Sequence, residues 1–287
     1  IIMAGSTSTT LNDLLPSIIQ ESMFVASERS IMMPLVKNFT LGTGQGKTVT
    51  VPIYPQQTAA TLTEGDEVSN TAVSTDGATI TISPVAIRTM VTDLAVASSA
   101  SNVVADLGRL FGESIARKVD ADLMALFDGF SVGLGDGTTA ITAAAIFNAV
   151  AKLRTAGVPL DGCVAVLHPA IAYDLKAALT TNGNVAFTNG AFSDVANQAQ
   201  REGLVGMLAG IPIYEGANMA NTGTAGDYKG AVFHRDALGI AMVGGLNIET
   251  QRRASYVATD VVASLHYGVG ELYDGYGVEL HYDSSIL

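Results

Sequence analysis

Gly42-Thr43-Gly44-Gln45-Gly46-Lys47-Thr48 is the stretch of this chain that comes nearest to a phosphate-binding loop. That chemistry needs a glycine five residues before the Gly-Lys-Thr, a strand in front and a helix opening at the lysine, so that backbone N–H groups cradle the phosphates. Leu41 stands in the place of that glycine, and the residues after Lys47 alternate as a strand. A glycine-rich turn is the expected structure. The four histidines, His168, His234, His266 and His281, form no His-x-x-x-His or Glu-x-x-His pair, so each reads as an isolated structural histidine rather than a metal ligand. Cys163, the single cysteine, sits in the apolar run Val158 to Leu167 and reads as a buried core residue with nothing nearby to activate its thiol. The aspartates are not clustered as paired acids, and no Gly-x-Ser-x-Gly elbow occurs. Tyr267, Tyr273, Tyr276 and Tyr282, set among glycines, read as edge and interface aromatics. No catalytic, cofactor-binding or metal-binding residue is assigned, and no enzyme is expected.

Composition points away from a free-standing monomer. Hydrophobic residues make up 48% of the 287 and charged residues 15%, where roughly a quarter charged is usual for soluble domains. Much of the surface is therefore expected to be interface. The longest apolar runs, such as Ala237 to Gly245, are broken by glycine and fall well short of the about 20 residues a membrane span needs. Ile1 to Ser6 has neither the basic region nor the apolar run of a secretory signal, and Met3 is the expected start. A net charge of −12 argues against a broad basic face that grips nucleic acid. It leaves open a container whose wall repels polyanionic contents, since that needs weak rather than tight wall contact.

The elements that organise these residues are a ribbon and a helix. Thr48-Val49-Thr50-Val51-Pro52-Ile53-Tyr54 leads through the acidic tip Glu64-Gly65-Asp66-Glu67 and returns as Thr79 to Ser83 and Val85 to Thr92. Period-two alternation puts Val and Ile on one face and Thr and Ser on the other, which predicts a two-stranded ribbon with one face meant for burial. A lone hairpin cannot bury that face. A neighbouring copy of the same chain is expected to cover it. Ser98 to Asn102 supplies N-caps for a helix over 103–128, with its apolar stripe on Val103, Leu107, Leu110, Phe111, Ile115, Val119, Leu123, Leu126 and Phe127. Asp106, Arg109, Glu113, Arg117, Lys118, Asp120 and Asp122 are expected mostly on the other side. Gly129 and Gly133 to Gly137 predict a flexible joint. Alternating helices and strands follow from Thr142 to about Ile248, with a polar loop from Thr180 to about Gly203. The tail from Asn247 to Tyr282 returns to strands.

This order of parts resembles the major capsid proteins of tailed double-stranded DNA bacteriophages, the α+β Hong-Kong-type fold also used by encapsulin compartments. The local phrases that carry it are Val166-Leu167-His168-Pro169 leading into Tyr173-Asp174-Leu175, then Leu208-Ala209-Gly210-Ile211-Pro212-Ile213, and Phe233-His234-Arg235-Asp236-Ala237-Leu238-Gly239. The resemblance covers essentially the whole chain. It implies an N-terminal arm over 1–40, an extended E-loop over 41–95, the spine helix and joint of a P-domain over 96–139, an A-domain over 140–246, and return strands of the P-domain over 247–287. It further implies a structural virion protein, assembled in the host cytoplasm, whose pentamers and hexamers close an icosahedral shell around packaged DNA. Portal and scaffolding proteins are implied partners, with a cement protein as a further one; the scaffold is either a cleaved segment or a separate protein. Two other readings stand beside it: an encapsulin-like cargo compartment and a β-rich surface adhesin.

Within that reading, the acidic tip residues Glu64, Asp66 and Glu67 are expected to meet basic residues of another subunit, with Arg109, Arg117 and Lys118 as candidates. Some relatives lock their shells with a lysine-to-asparagine bond made from the E-loop. This chain has no lysine between Lys47 and Lys118, so the amine nucleophile for that bond is missing from the ribbon. A shell held by noncovalent contacts is the expectation.

Overall fold

A computed structural model describes residues 30–42, 44, 46–54, 59, 61, 65, 67, 76–98, 103–181, 204–221 and 226–286. Two sheets are joined by one long helix. In the first sheet the strand order is β1 (Lys37–Leu41), β10 (Leu238–Arg253), β11 (Ala258–Glu271), β4 (Ser83–Thr92). β1 runs parallel to β10, and the other neighbours are antiparallel. The second sheet has the order β5 (Gly133–Leu134), β12 (Gly277–Asp283), β9 (Asp227–His234), β6 (Cys163–Leu167), β8 (Ile211–Glu215), β7 (Leu204–Leu208). A separate ribbon pairs β2 (Thr48–Ile53) with β3 (Asp76–Thr81). Among the described residues the α-helices are α1 (Asp93–Ser98), α2 (Val103–Ala125), α3 (Ala143–Thr155) and α4 (Pro169–Thr181).

α2 is the spine. Its 23 residues extend roughly 34 Å at 1.5 Å per residue, and Phe111, Ile115, Val119 and Leu123 recur at four-residue steps that keep one stripe buried. A 3-10 turn over Leu126–Gly129 continues the stripe to Phe127. One core joins this stripe to Val261, Ala263, Leu265 and Tyr267 of the first sheet and to Val164, Val166, Ala231 and Phe233 of the second. The Phe127 and Phe233 rings lie 5.5 Å apart. The opposite face of the second sheet packs on α3 and α4 through Ile146, Val150, Leu153, Ile171 and Leu175. β6 is thus buried along its whole length, as a central strand covered on both faces must be.

Three chain passages cross between the sheets: the end of the spine at Phe130–Ser131, the link His234–Leu238, and the link Leu272–Tyr276. They are tied to one another. Leu272 N–H donates to the Ala237 carbonyl at 2.7 Å, and the Asp274 carboxylate accepts from Ser131 N–H at 2.7 Å.

The structure departs from the sequence reading at several elements. Ser83–Thr92 does not pair with the outgoing strand of the ribbon but with β11, Val85 opposite Leu265 and Ile87 opposite Ala263. Lys37–Leu41, read as the end of the arm, is the edge strand beside β10. Residues 238–253, divided between two regions, form one strand. Its Gly244-Gly245 pair marks a register shift between Val243 and Asn247 rather than a break. β12, one of the strands expected in the 247–287 tail, pairs with β9 and β5 in the second sheet. Leu110 is half exposed, because Leu107, Phe111 and Ile115 already hold the stripe and Leu110 falls at its edge. The glycine joint is pinned rather than flexible: Gly137 N–H donates to the His281 carbonyl at 3.1 Å. A Cβ at Gly135 would stand 2.1 Å from that same oxygen, at a φ of +86°.

Candidate functional site: the assembly surfaces

The ribbon alternates as its sequence predicts. Val49, Val51 and Ile53 turn inward while Thr48, Thr50 and Pro52 face solvent, and the Thr50 and Thr79 hydroxyls meet across the strands at 3.4 Å. Its apolar face does not wait for a neighbour, however. Ile80 and Ile82 pack with Ala241 and Leu272, flanked by Phe39, Leu41, Val49, Val51, Ala78, Val243 and Tyr273, all of the same chain. The expectation that another copy covers the ribbon is corrected for these residues.

Three glycines make that seat. Gly239 and Gly270 are register partners, and Gly268 stands two residues from Gly270 on the same face. A Cβ at Gly268 would lie 2.3 Å from the Thr81 carbonyl oxygen; at Gly270, 2.9 Å from Ile80 Cγ1; at Gly239, 3.1 Å from Ile80 Cδ1. Ile80 therefore rests in a trough made by missing side chains. Ile82 N–H closes the root of the ribbon by donating to the Lys47 carbonyl at 2.9 Å. Sequence reasoning passed over Gly268-Val269-Gly270, although glycine within a strand is a sign of close approach.

Of the acidic tip, Glu67 is exposed, and Glu64 and Asp66 lie outside the described residues. The candidate cations are all on the exposed side of α2, and the structure gives two of them partners within the helix. Arg117 donates to Glu113 at 2.8 Å and Lys118 to Asp122 at 2.7 Å, both one turn away. Arg109 is also exposed. Asp122 further accepts from the Tyr267 hydroxyl at 2.7 Å, which ties helix to sheet.

Asp120, expected mostly on the polar side, is fully buried. It accepts from Ser30 Oγ at 2.7 Å, Ile31 N–H at 3.0 Å and Met32 N–H at 3.2 Å, and so fastens the start of the described chain to the spine. It lies four residues from Ala116 and three from Leu123, on the buried stripe. Burial pushes its pKa up, against the pull of those three hydrogen bonds. The folded state then holds the proton more tightly than the unfolded chain, so this group stabilises most in acid and the benefit is lost as pH rises through its folded pKa. Asp120→Asn removes the titration. The wild-type lead over the variant in Tm of unassembled subunits is expected to shrink as pH rises above about 4; a lead that grows with pH would contradict the assignment.

The other chemical candidates resolve as structural groups. Lys47-Thr48 opens a strand, preceded by Gly44 and Gly46 at φ values of +92° and +97°. Cys163 is buried, its thiol donates to the Pro159 carbonyl at 3.1 Å, and burial raises its pKa to about 11. His168 stacks on Tyr228 with ring centroids 3.6 Å apart, and burial lowers its pKa. His281 Nε2 lies 3.2 Å from Asp227 Oδ1. Among the described residues no group of three or more His, Cys, Asp or Glu side chains is placed to hold a metal, and no helix is long and apolar enough to cross a membrane.

Residues 75–278 match the family described as phage capsid protein. The chain belongs to that family. This capsid protein is accordingly a structural component of a phage shell, and the compartment and adhesin readings are not favoured. Its fold is the Hong-Kong-type capsid fold. The capsid structure of the cyanophage P-SCSP1u is similar at 21% identity, with 90% of this chain and 89% of that chain covered and a TM-score of 0.68. Mycobacterium phage Che8 gives 22%, 82%, 85% and 0.64 for the same quantities, and the head structure of Helicobacter pylori bacteriophage KHP40 gives 10%, 90%, 91% and 0.66. No curated protein matches.

Proposed function

We propose that copies of this capsid protein form pentamers and hexamers that close an icosahedral shell around packaged double-stranded DNA. The observation that carries this reading is the ribbon. Its pairing ends at Ile53 and Asp76, leaving the 22 residues 54–75 between them, where a hairpin turn needs about two to five. A root locked into a glycine trough and a connecting segment with far more residues than a turn needs suit an arm that engages a neighbour. In this reading the ribbon is the E-loop, α2 with the first sheet is the P-domain, the second sheet with α3 and α4 is the A-domain, and the residues before β1 are the arm. The subunit is non-enzymatic, assembles in the host cytoplasm, and works with portal and scaffolding proteins and a cement protein. The net charge of −12 keeps DNA loosely held by the wall.

The acidic tip, Glu64, Asp66 and Glu67, is assigned to a contact with Arg109, Arg117 and Lys118 of another copy. Because Arg117 and Lys118 are already bridged within α2, the incoming carboxylates share those cations, and each contact contributes about 0 to 1 kcal/mol. Reversing Glu64 and Glu67 to lysine is expected to lower shell yield at low salt only; an equal yield at all salt concentrations would remove this contact from the scheme.

Electron microscopy of the expressed chain tests the shell reading, with closed particles expected and unassembled or fibrous protein overturning it. Nucleic acid extracted from native particles tests the contents. The same particles, boiled and run on a denaturing gel, are expected to give one band at the monomer mass. A reduction-resistant ladder would mean that the shell is covalently linked after all.

A further inference from the structure

The spine reaches the second sheet through Asp128-Gly129-Phe130-Ser131, and each of these four residues is gripped on the way. Lys229 of β9 bridges Asp128 and, at 2.8 Å, Glu279 of β12. Phe130 fills the place of a side chain at Gly277, where a Cβ would stand 2.2 Å from its ring. Ser131 gives its N–H to Asp274 Oδ1 at 2.7 Å and its hydroxyl to Asp274 Oδ2. At Gly129 the grip is an acid. A Cβ there would stand 2.8 Å from Glu271 Oε2, so the last residue of β11 lays its carboxyl in the space of a missing side chain.

That carboxyl also shares a hydrogen bond with Asp274. Two carboxyl groups in such contact cannot both ionise cheaply, and they bind and release protons as a pair. Burial, the Asp274 charge and the shared hydrogen bond push the Glu271 pKa up. Burial alone would raise Asp274 as well, but the two bonds from Ser131 and the one from Glu271 hold it below its ordinary value. The proton therefore sits on Glu271, which donates, and Asp274 accepts from three donors at once. The charged and titratable groups of the neighbouring elements are engaged with other partners. Lys229 lies between Asp128 and Glu279, Lys37 of β1 is on Asp236 at 3.0 Å, and Arg235 is on the Val36 carbonyl at 3.4 Å. His234 stands edge-on to Tyr276, which stacks on Tyr273, and its Nε2 lies 3.0 Å from the Asp161 carbonyl.

We infer that Glu271 and Asp274 form a proton-operated catch between the end of the first sheet and the joint, fastened by the proton they share and slackened when it leaves. Two negative charges in that contact repel each other. Glu271 is fixed, being a register partner of Leu238 in the sheet and followed by Leu272, whose N–H holds the Ala237 carbonyl. Asp274 is exposed, at the start of a 3-10 turn over Asp274–Tyr276. It is the side that swings, and its bonds to Ser131 go with it. The raised pKa of Glu271 gives a contribution that is complete below its unfolded value and is lost as pH rises through the folded one, whereas the contribution of Asp274 is lost as pH falls through its own lowered value. The catch is closed in mild acid.

The test is hydrogen exchange of unassembled full-length subunits, read as the protection factor of peptides covering 127–134, a quantity free of the chemical pH dependence of exchange. Glu271→Gln keeps a donor towards Asp274 at every pH. The wild type and this variant are expected to be equally protected at about pH 4, and the wild type to fall behind by about threefold or more as the pH is raised. A ratio that stays constant with pH would overturn the catch, by making Glu271 a structural residue only. Asp274→Asn keeps the question open to decision if Glu271→Gln folds poorly. It removes the charge that opposes ionisation of Glu271, and the protection of 127–134 is expected to lose most of its pH response. A response as large as that of the wild type would overturn the inference. Both measurements are made on single subunits, so their outcome is separate from that of the shell reading.

Discussion

Gly268→Val is expected to unseat the ribbon and stop the subunit from building shells. The trough under Ile80 has no slack, because a Cβ at residue 268 would stand 2.3 Å from the Thr81 carbonyl oxygen, a backbone atom that moves only if the ribbon moves. Forced overpacking of this kind costs about 1 to 3 kcal/mol, and this case is expected at the upper end. Gly270→Ala is expected to be milder, since the atom it meets is a side-chain carbon of Ile80 at 2.9 Å. Ile80→Ala attacks the same seat from above and leaves a cavity, with a cost of about 2 to 5 kcal/mol. Thermal unfolding of the subunits ranks the variants, and amide exchange of β2 and β3 reports the ribbon directly. Protected ribbon amides and normal shells in Gly268→Val would show that the seat is not what orients the ribbon.

Deleting residues 58–75 is expected to separate folding from closure. Ile53 and Asp76 are the last paired residues of the ribbon, so the deletion leaves Tyr54 to Gln57 as a loop of four residues, a length that closes a hairpin without strain. The core around Ile80 and Ile82 is untouched. The variant is therefore expected to unfold within a few degrees of the wild type, as a change of about 0.5 kcal/mol or less at the surface implies. Closed shells are expected to fall below detection by microscopy and sedimentation. Shells of wild-type yield and heat resistance would show that the distal ribbon is dispensable and would move the inter-subunit contacts elsewhere.

What the sequence made legible was local. The inward turn of Val49, Val51 and Ile53 and the stripe Phe111, Ile115, Val119, Leu123 follow from periods of two and 3.6 that need no knowledge of the rest of the chain. Which strand lies beside which was not legible. Alternation across Ser83–Thr92 says that one face is covered, but its partner Ala258–Tyr267 lies far along the sequence, and β1 meets β10 at a still greater separation. The pattern encodes a face and leaves the neighbour to the tertiary fold. Polar positions misled for a related reason. Asp120 looked like a surface acid because its three donors come from Ser30, Ile31 and Met32, and a carboxylate can enter a core only where such donors wait. For the assembly surfaces, charge was readable as tip and helix side chains, whereas the glycine seat is a property of backbone shape.

The tie among the three passages between the sheets has a mechanical consequence. Because Leu272 is bonded to Ala237 and Asp274 to Ser131, the passages cannot bend one at a time. The two sheets are therefore coupled: a change in the angle between them must move all three passages together and shear the core that spans both sheets. In the proposed shell, rings of five and rings of six demand different curvature from identical chains. With the tied passages and the shared core resisting a change of angle, that difference falls first on contacts outside the two sheets, and every strand register is kept.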